Sequence, residues 1–122
     1  MIEVKMKANS GDADQGGGLI WHVQDADNYY VMRYNPLERN FRVYFVKDGY
    51  RKMLASANAN IPSHEWFTIA VTQQDDEITC SLNGQALLNV KDKTFPNTGG
   101  VGFWTKADAA SSFDDLVIRK KD

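Results

Sequence analysis

Trp21, Tyr29, Tyr30, Tyr34, Tyr44, Tyr50, Trp66 and Trp104 are the residues of this sequence best suited to holding a ligand. Together they exceed what one small core readily absorbs, and several join an apolar ring to a polar tip. Sugar rings stack on such faces while charged and amide side chains bond the hydroxyl groups. Core packing with hydrogen bonds at the tips competes for the same residues, and Trp66 is expected in the core on that ground.

Catalytic chemistry finds less support. A glycosidase needs two carboxylates facing each other across a cleft, one held protonated and one ionised. Asp75-Asp76-Glu77 sits instead at an expected hairpin tip, and no strand carries carboxylates at alternate positions. No residue is therefore assigned a catalytic role. Cys80 lies in the alternating run Ile78-Thr79-Cys80-Ser81-Leu82, on the apolar side, and reads as a small buried hydrophobe rather than a nucleophile.

Asp25, Asp27 and Asn28 have oxygens that suit a calcium ion, as do Asp114 and Asp115 if the fold brings them near. Turn-making explains Asp25 and Asp27 equally well, so a structural calcium at Asp25, Asp27 and Asp114 stands as an expectation beside that of no cofactor at all. His22 and His64 are too far apart for zinc spacing. Gly16-Gly17-Gly18 does not make a phosphate loop, because a strand rather than a helix follows it.

Composition sets the class. With 122 residues, 43% hydrophobic and 25% charged, residues 1–122 form one globular domain with one core. The formal charge of −2 is mixed along the chain, and only Arg119-Lys120-Lys121 stands out as basic. Nucleic-acid binding along a phosphate-tracking stripe is disfavoured. No apolar run is long enough to span a bilayer, and the start alternates in place of a signal-peptide core. The residence of the protein is left open.

The elements that must position these residues are strands. Short alternating segments recur at roughly ten-residue spacing, the pattern of an antiparallel sandwich or barrel. Expected strands are 2–8, 18–24, 28–35, 41–47, 51–57, 66–73, 78–83, 85–90, 100–105 and 112–119. Asp48-Gly49 and Asn83-Gly84 supply the positive φ of tight hairpins. Ser63 to Val71 loosely imitates a helix start, but Thr68, Ile69, Val71 and Thr72 are β-branched and favour a strand. Period two sends Leu19, Trp21 and Val23 inward and His22 and Gln24 outward.

From Gly18 onward the sequence resembles the concanavalin A-like lectin/glucanase superfamily. The closer likeness is to bacterial jelly-roll domains of the laminin-G-like and domain-of-unknown-function 1080 kind. The likeness is carried by Gly-Gly-Leu-Ile-Trp at 17–21, the run from Asp27 to Glu38, Leu82-Asn83-Gly84, the run from Val101 to Asp108, and Phe113-Asp114-Asp115-Leu116. It implies an all-β, two-sheet antiparallel jelly-roll sandwich that holds its ligand on a concave face. The implied function is a non-catalytic carbohydrate-binding, lectin-like module. The alternatives are a hydrolase of glycosides, 3-keto-glycosides included, and a protein-interaction or self-association domain.

The resemblance also suggests a site. Relatives of the closer kind commonly have arginine at the position of His22, together with an arginine matching Arg33. Both project onto one sheet face if 28–35 pairs with 18–24, and Lys106 and Asp108 follow the strand bearing Trp104. The expected ligand-binding set is His22, Arg33, Asn35, Tyr44, Trp104, Lys106 and Asp108. Similar domains begin with further strands before the segment that opens at Ile2; a missing strand leaves an exposed edge, and a homodimer that covers it with a second copy is a further expectation.

Overall fold

The computed structural model describes residues 1–10, 16–105 and 110–119. Among the described residues the regular structure is ten strands and no helix. They are β1 (Ile2–Ser10), β2 (Gly17–Asp25), β3 (Asn28–Asn35), β4 (Asn40–Lys47), β5 (Tyr50–Asn58), β6 (Trp66–Gln74), β7 (Glu77–Leu82), β8 (Gln85–Lys91), β9 (Gly100–Thr105) and β10 (Ala110–Ile118). The segment from Trp66 is a strand, as its β-branched residues require.

The turns follow from local chemistry. Asp48 and Gly49 have φ of 51° and 80°, and Asn83 and Gly84 have 50° and 81°. A pair of positive φ values gives the turn whose twist matches the flanking strands. Between β2 and β3, the Asp25 carboxylate accepts the Asp27 amide and the Asn28 side-chain amide, both at 2.8 Å. The Asn28 bond, followed by that from Asp27, holds the Asp25 carboxyl below its ordinary pKa.

All pairings are antiparallel, in two sheets ordered β10-β1-β6-β7-β8 and β5-β4-β3-β2-β9. Alternate residues of each sheet meet in one core. Val4, Met6, Phe67, Ile69, Val71, Ile78, Cys80 and Leu82 come from the first sheet, and Leu19, Trp21, Tyr30, Met32, Tyr34, Phe41 and Val43 from the second. Burying each large side chain stabilises the fold by about 1.5–3 kcal/mol. Cys80 is buried among them, and burial pushes its thiol pKa up to about 12. Trp21 Nε1 donates to Gln73 Oε1 at 2.9 Å, which ties the sheets through an indole tip.

One placement differs from the sequence reading. Trp66 is 48% exposed on the outer side of the first sheet, with the Lys7 ammonium 5.2 Å from its ring centre. It opens its strand at Lys7's cross-strand position, so the even residues of β6 face out while Phe67, Ile69 and Val71 face in. β1 is not an edge, because β10 and β6 flank it on both sides. The edges are β10 and β8 in one sheet and β5 and β9 in the other, and the Phe103–Phe113 stack at 4.3 Å joins β9 to β10. Lys120 and Lys121 lie outside the described residues, and no described helix is long and apolar enough to cross a membrane.

Candidate functional site

The outer face of β5-β4-β3-β2-β9 concentrates polar and aromatic side chains. Cross-strand partners share a face, so the register defines rows across it. One row runs Trp104, Gly18, Arg33, Arg42, Ser56, and the next runs Gly102, Ile20, Val31, Tyr44, Met53. Val31, Tyr44 and Val46 form a small apolar cluster against which Ile20, Tyr29 and Trp104 pack. Trp104 is half-buried there.

Gly18 sets the close approach of β2 to β3. A side chain at this position would run into the Met32 carbonyl oxygen and come within 2.8 Å of Arg33 Cα. The row therefore has a buried position without a side chain between Trp104 and Arg33, and only glycine permits it.

Arg33 is the centre of the network and is 2% exposed. Its Nη1 donates to Asn40 Oδ1, and its Nη2 donates to Glu38 Oε2 and Tyr44 Oη, each at 3.2 Å. Asn40 Nδ2 also donates to Glu38 Oε2 at 3.3 Å. The Glu38 side chain is 44% exposed, so the ion pair joins a buried cation to a half-open carboxylate. Arg33 Nε donates to no protein acceptor among the described residues. Such an unsatisfied buried donor costs about 1–3 kcal/mol.

Arg42 and Arg51 complete the surroundings of Tyr44. Arg42 Nε donates to Ser56 Oγ at 3.1 Å and its Nη1 to Tyr44 Oη at 3.4 Å. The Arg51 guanidinium lies 4.7 Å from the centre of the Tyr44 ring. Burial opposes ionisation of the phenol, but the bond from Arg42 and the charge and bond of Arg33 outweigh it, and the pKa falls below the usual tyrosine value.

Of the residues expected to bind ligand, Arg33, Tyr44 and Trp104 come together on this face. Asn35 is at the end of the same face, buried, with its Oδ1 accepting the Leu37 amide at 3.0 Å, and so it shapes the β3–β4 turn. His22 is not with them. It has φ of 49° at an irregularity that breaks the register of β2 with both neighbours. The bulge shifts the alternation of β2, and His22 Nδ1 meets the Phe95 carbonyl at 2.9 Å beside the Tyr30 ring. It lines a cleft of about 340 Å³ at one end of the sandwich, with Trp21 and Gln73. Lys106 and Asp108 lie outside the described residues.

The carboxylates expected for calcium are apart. Asp25 and Asp27 make the β2–β3 turn, while Asp114 is on β10 of the other sheet and caps the Asp115 amide at 2.8 Å. No three His, Cys, Asp or Glu side chains among the described residues form a group able to hold a metal ion. The sequence reading also passed over Glu38, Asn40, Arg42, Arg51 and Ser56. Arg42 and Asn40 were accessible to it, since they alternate with Tyr44 on β4. Arg51 and Ser56 were not, because an irregularity between Val43 and Tyr44 shifts the register of β5.

No known family's sequence profile matches the chain, and neither does any curated protein sequence. Solved structures do match in fold. The carbohydrate binding module CBM66 from Bacillus subtilis has a TM-score of 0.85 at 18% identity, over 94% of this chain and 71% of that one. The galectin-1-L2 of Danio rerio has a TM-score of 0.72 at 7% identity, over 97% of this chain and 90% of that one. A native glycosidic hydrolase has a TM-score of 0.59 at 16% identity, over 84% of this chain and 48% of that one. The chain has the two-sheet jelly-roll fold of the concanavalin A-like type.

Proposed function

We propose that the chain is a non-catalytic carbohydrate-binding module whose ligand lies on the outer face of β5-β4-β3-β2-β9. The observation that carries this reading is the convergence of Trp104 and Tyr44 with the Arg33–Glu38–Asn40 network. A half-buried indole offers a flat apolar face to a pyranose or furanose ring, and the fixed donors and acceptors beside it suit hydroxyl groups. Two structural neighbours are named a carbohydrate binding module and a galectin, which supports the same assignment. The motifs at 17–21 and 101–108 support a place near the bacterial laminin-G-like group within this sandwich class.

Calorimetry against a panel of neutral and charged polysaccharides tests the reading. Trp104→Ala should weaken binding about tenfold, the scale of one lost stacking contact, while circular dichroism stays unchanged. A wild-type chain that binds no glycan of the panel would remove the proposal. The hydrolase reading draws on the glycosidic hydrolase neighbour. On this face, however, the Glu38 carboxylate is taken up by its ion pair with Arg33, whereas glycoside cleavage uses two carboxyl groups free to act. Turnover of ordinary or 3-keto glycosides that disappears on changing Asp114 or Asp115 would favour the hydrolase.

A further inference from the structure

We propose that this face selects sugars carrying a negative charge, a carboxylate or a sulfate ester on the ring. The inference rests on the carbohydrate-binding reading and adds the chemical class of the ligand.

The chain carries a formal charge of −2, yet this face runs against that sign. Arg33 and Arg42 place guanidinium groups on the Tyr44 hydroxyl, and Arg51 places its own over the Tyr44 ring. The Glu38 carboxylate on this face is already used by Arg33. Among the described residues, Arg42 and Arg51 have no carboxylate partner: Ser56 and Tyr44 are neutral acceptors that orient the cations without cancelling their charge.

Arginine is also the right cation for the task. Its planar fork meets a carboxylate or sulfate through two parallel hydrogen bonds, which a lysine cannot do. Arg42 is half-buried and held at two nitrogens, and stacking holds the exposed Arg51 beside it, so little ordering remains to be done on binding. Trp104 stands three strands away from Arg42 in the same row, about 14 Å at the usual strand spacing. Gly18 adds no side chain at the intervening position. An oligosaccharide stacked on the indole reaches the arginines with a charged ring further along the chain.

The test uses the whole chain and two matched pairs of probes: polygalacturonate against its methyl ester, and dextran sulfate against dextran. Each pair differs only in charge, and comparing the pairs separates a carboxylate ligand from a sulfate ester. Calorimetry should give about tenfold or more tighter binding to the charged member of at least one pair, weakening as salt is raised. Arg42→Gln and Arg51→Gln should bring that ratio towards unity, while Lys5→Gln, on the opposite sheet, should leave it as it is. Equal binding of charged and neutral members overturns the inference and leaves the carbohydrate-binding reading standing. So does a preference that Lys5→Gln abolishes as readily as Arg42→Gln. Failure to bind any of the four probes or any other glycan removes both.

Discussion

Arg33 and Glu38 divide a single ion pair unequally between protein interior and solvent. The guanidinium is almost wholly buried, whereas the carboxylate is nearly half open. Removing each partner therefore has a different consequence. Without Glu38 the buried cation loses its counter-charge, the situation that makes broken buried pairs expensive. Without Arg33 the carboxylate rehydrates, and an apolar replacement of similar length refills the space. Glu38→Ala should thus destabilise the fold more than Arg33→Met, by about 1 kcal/mol or more in urea titration. The reverse order would mean that the network is held chiefly by its bonds to Asn40 and Tyr44. In either case Arg33→Met should impair ligand binding, since Tyr44 and Asn40 lose their common donor.

At the level of the strand, the pairing of β2 with β3 depends on one missing side chain. A Cβ at Gly18 would meet the backbone of Met32 and Arg33, which cannot yield as a flexible side chain does. Gly18→Ala is expected to cost about 2–3 kcal/mol, in the range of overpacked interiors, and to displace Arg33 from Tyr44. Gly102 is a matched control on the neighbouring strand β9. There an added Cβ meets only the Ile20 side chain at 3.2 Å, and Gly102→Ala should cost about 1 kcal/mol or less. Thermal unfolding of the two variants distinguishes backbone contact from ordinary crowding. Similar losses in both would refute the close-approach account.

The whole molecule depends on tyrosines that tie its long loops to the second sheet. Tyr30 donates to Asp92 Oδ1 at 2.7 Å and accepts the Phe95 amide, and Tyr34 bonds the carbonyls of Ala59 and Ile61. Burial raises the pKa of both phenols above the ordinary tyrosine value of 10.0. The folded state therefore holds their protons after the unfolded chain has released them, and stability present below about pH 10 is lost as pH rises further. Tyr44 acts in the opposite sense, adding stability as pH rises towards 10, but it stands against two phenols and the buried Cys80 thiol, whose raised pKa costs stability from about pH 9 upward. Urea midpoints should fall between about pH 9 and pH 11, and Tyr30→Phe should make the fall shallower. A profile unchanged in Tyr30→Phe would show that this phenol titrates alike in both states.

The strands themselves were legible because their signals are local. Alternation in Phe67-Thr68-Ile69-Ala70-Val71 and turn pairs such as Asn83-Gly84 act over a few residues, and they place ten strands within one or two positions of those observed. Arg33 and Tyr44 entered the expected site through the resemblance, whereas the same local rule placed Cys80 in the core. It could not place His22, because a bulge resets the alternation from that point on β2. Nor could it place Trp66, since alternation gives two faces to a strand without saying which large residue the core will accept. The neighbours of β2 and β1 were likewise beyond it: β9 lies beside β2, and β1 sits between β10 and β6. Those pairings join segments from opposite parts of the chain, and they are selected by the fit of two sheets around one core. The sequence by itself determined the strands, their turns and most of their inward residues. Only the tertiary structure decided that Arg33, Arg42, Arg51, Tyr44 and Trp104 share one surface, because that depends on which strands lie side by side.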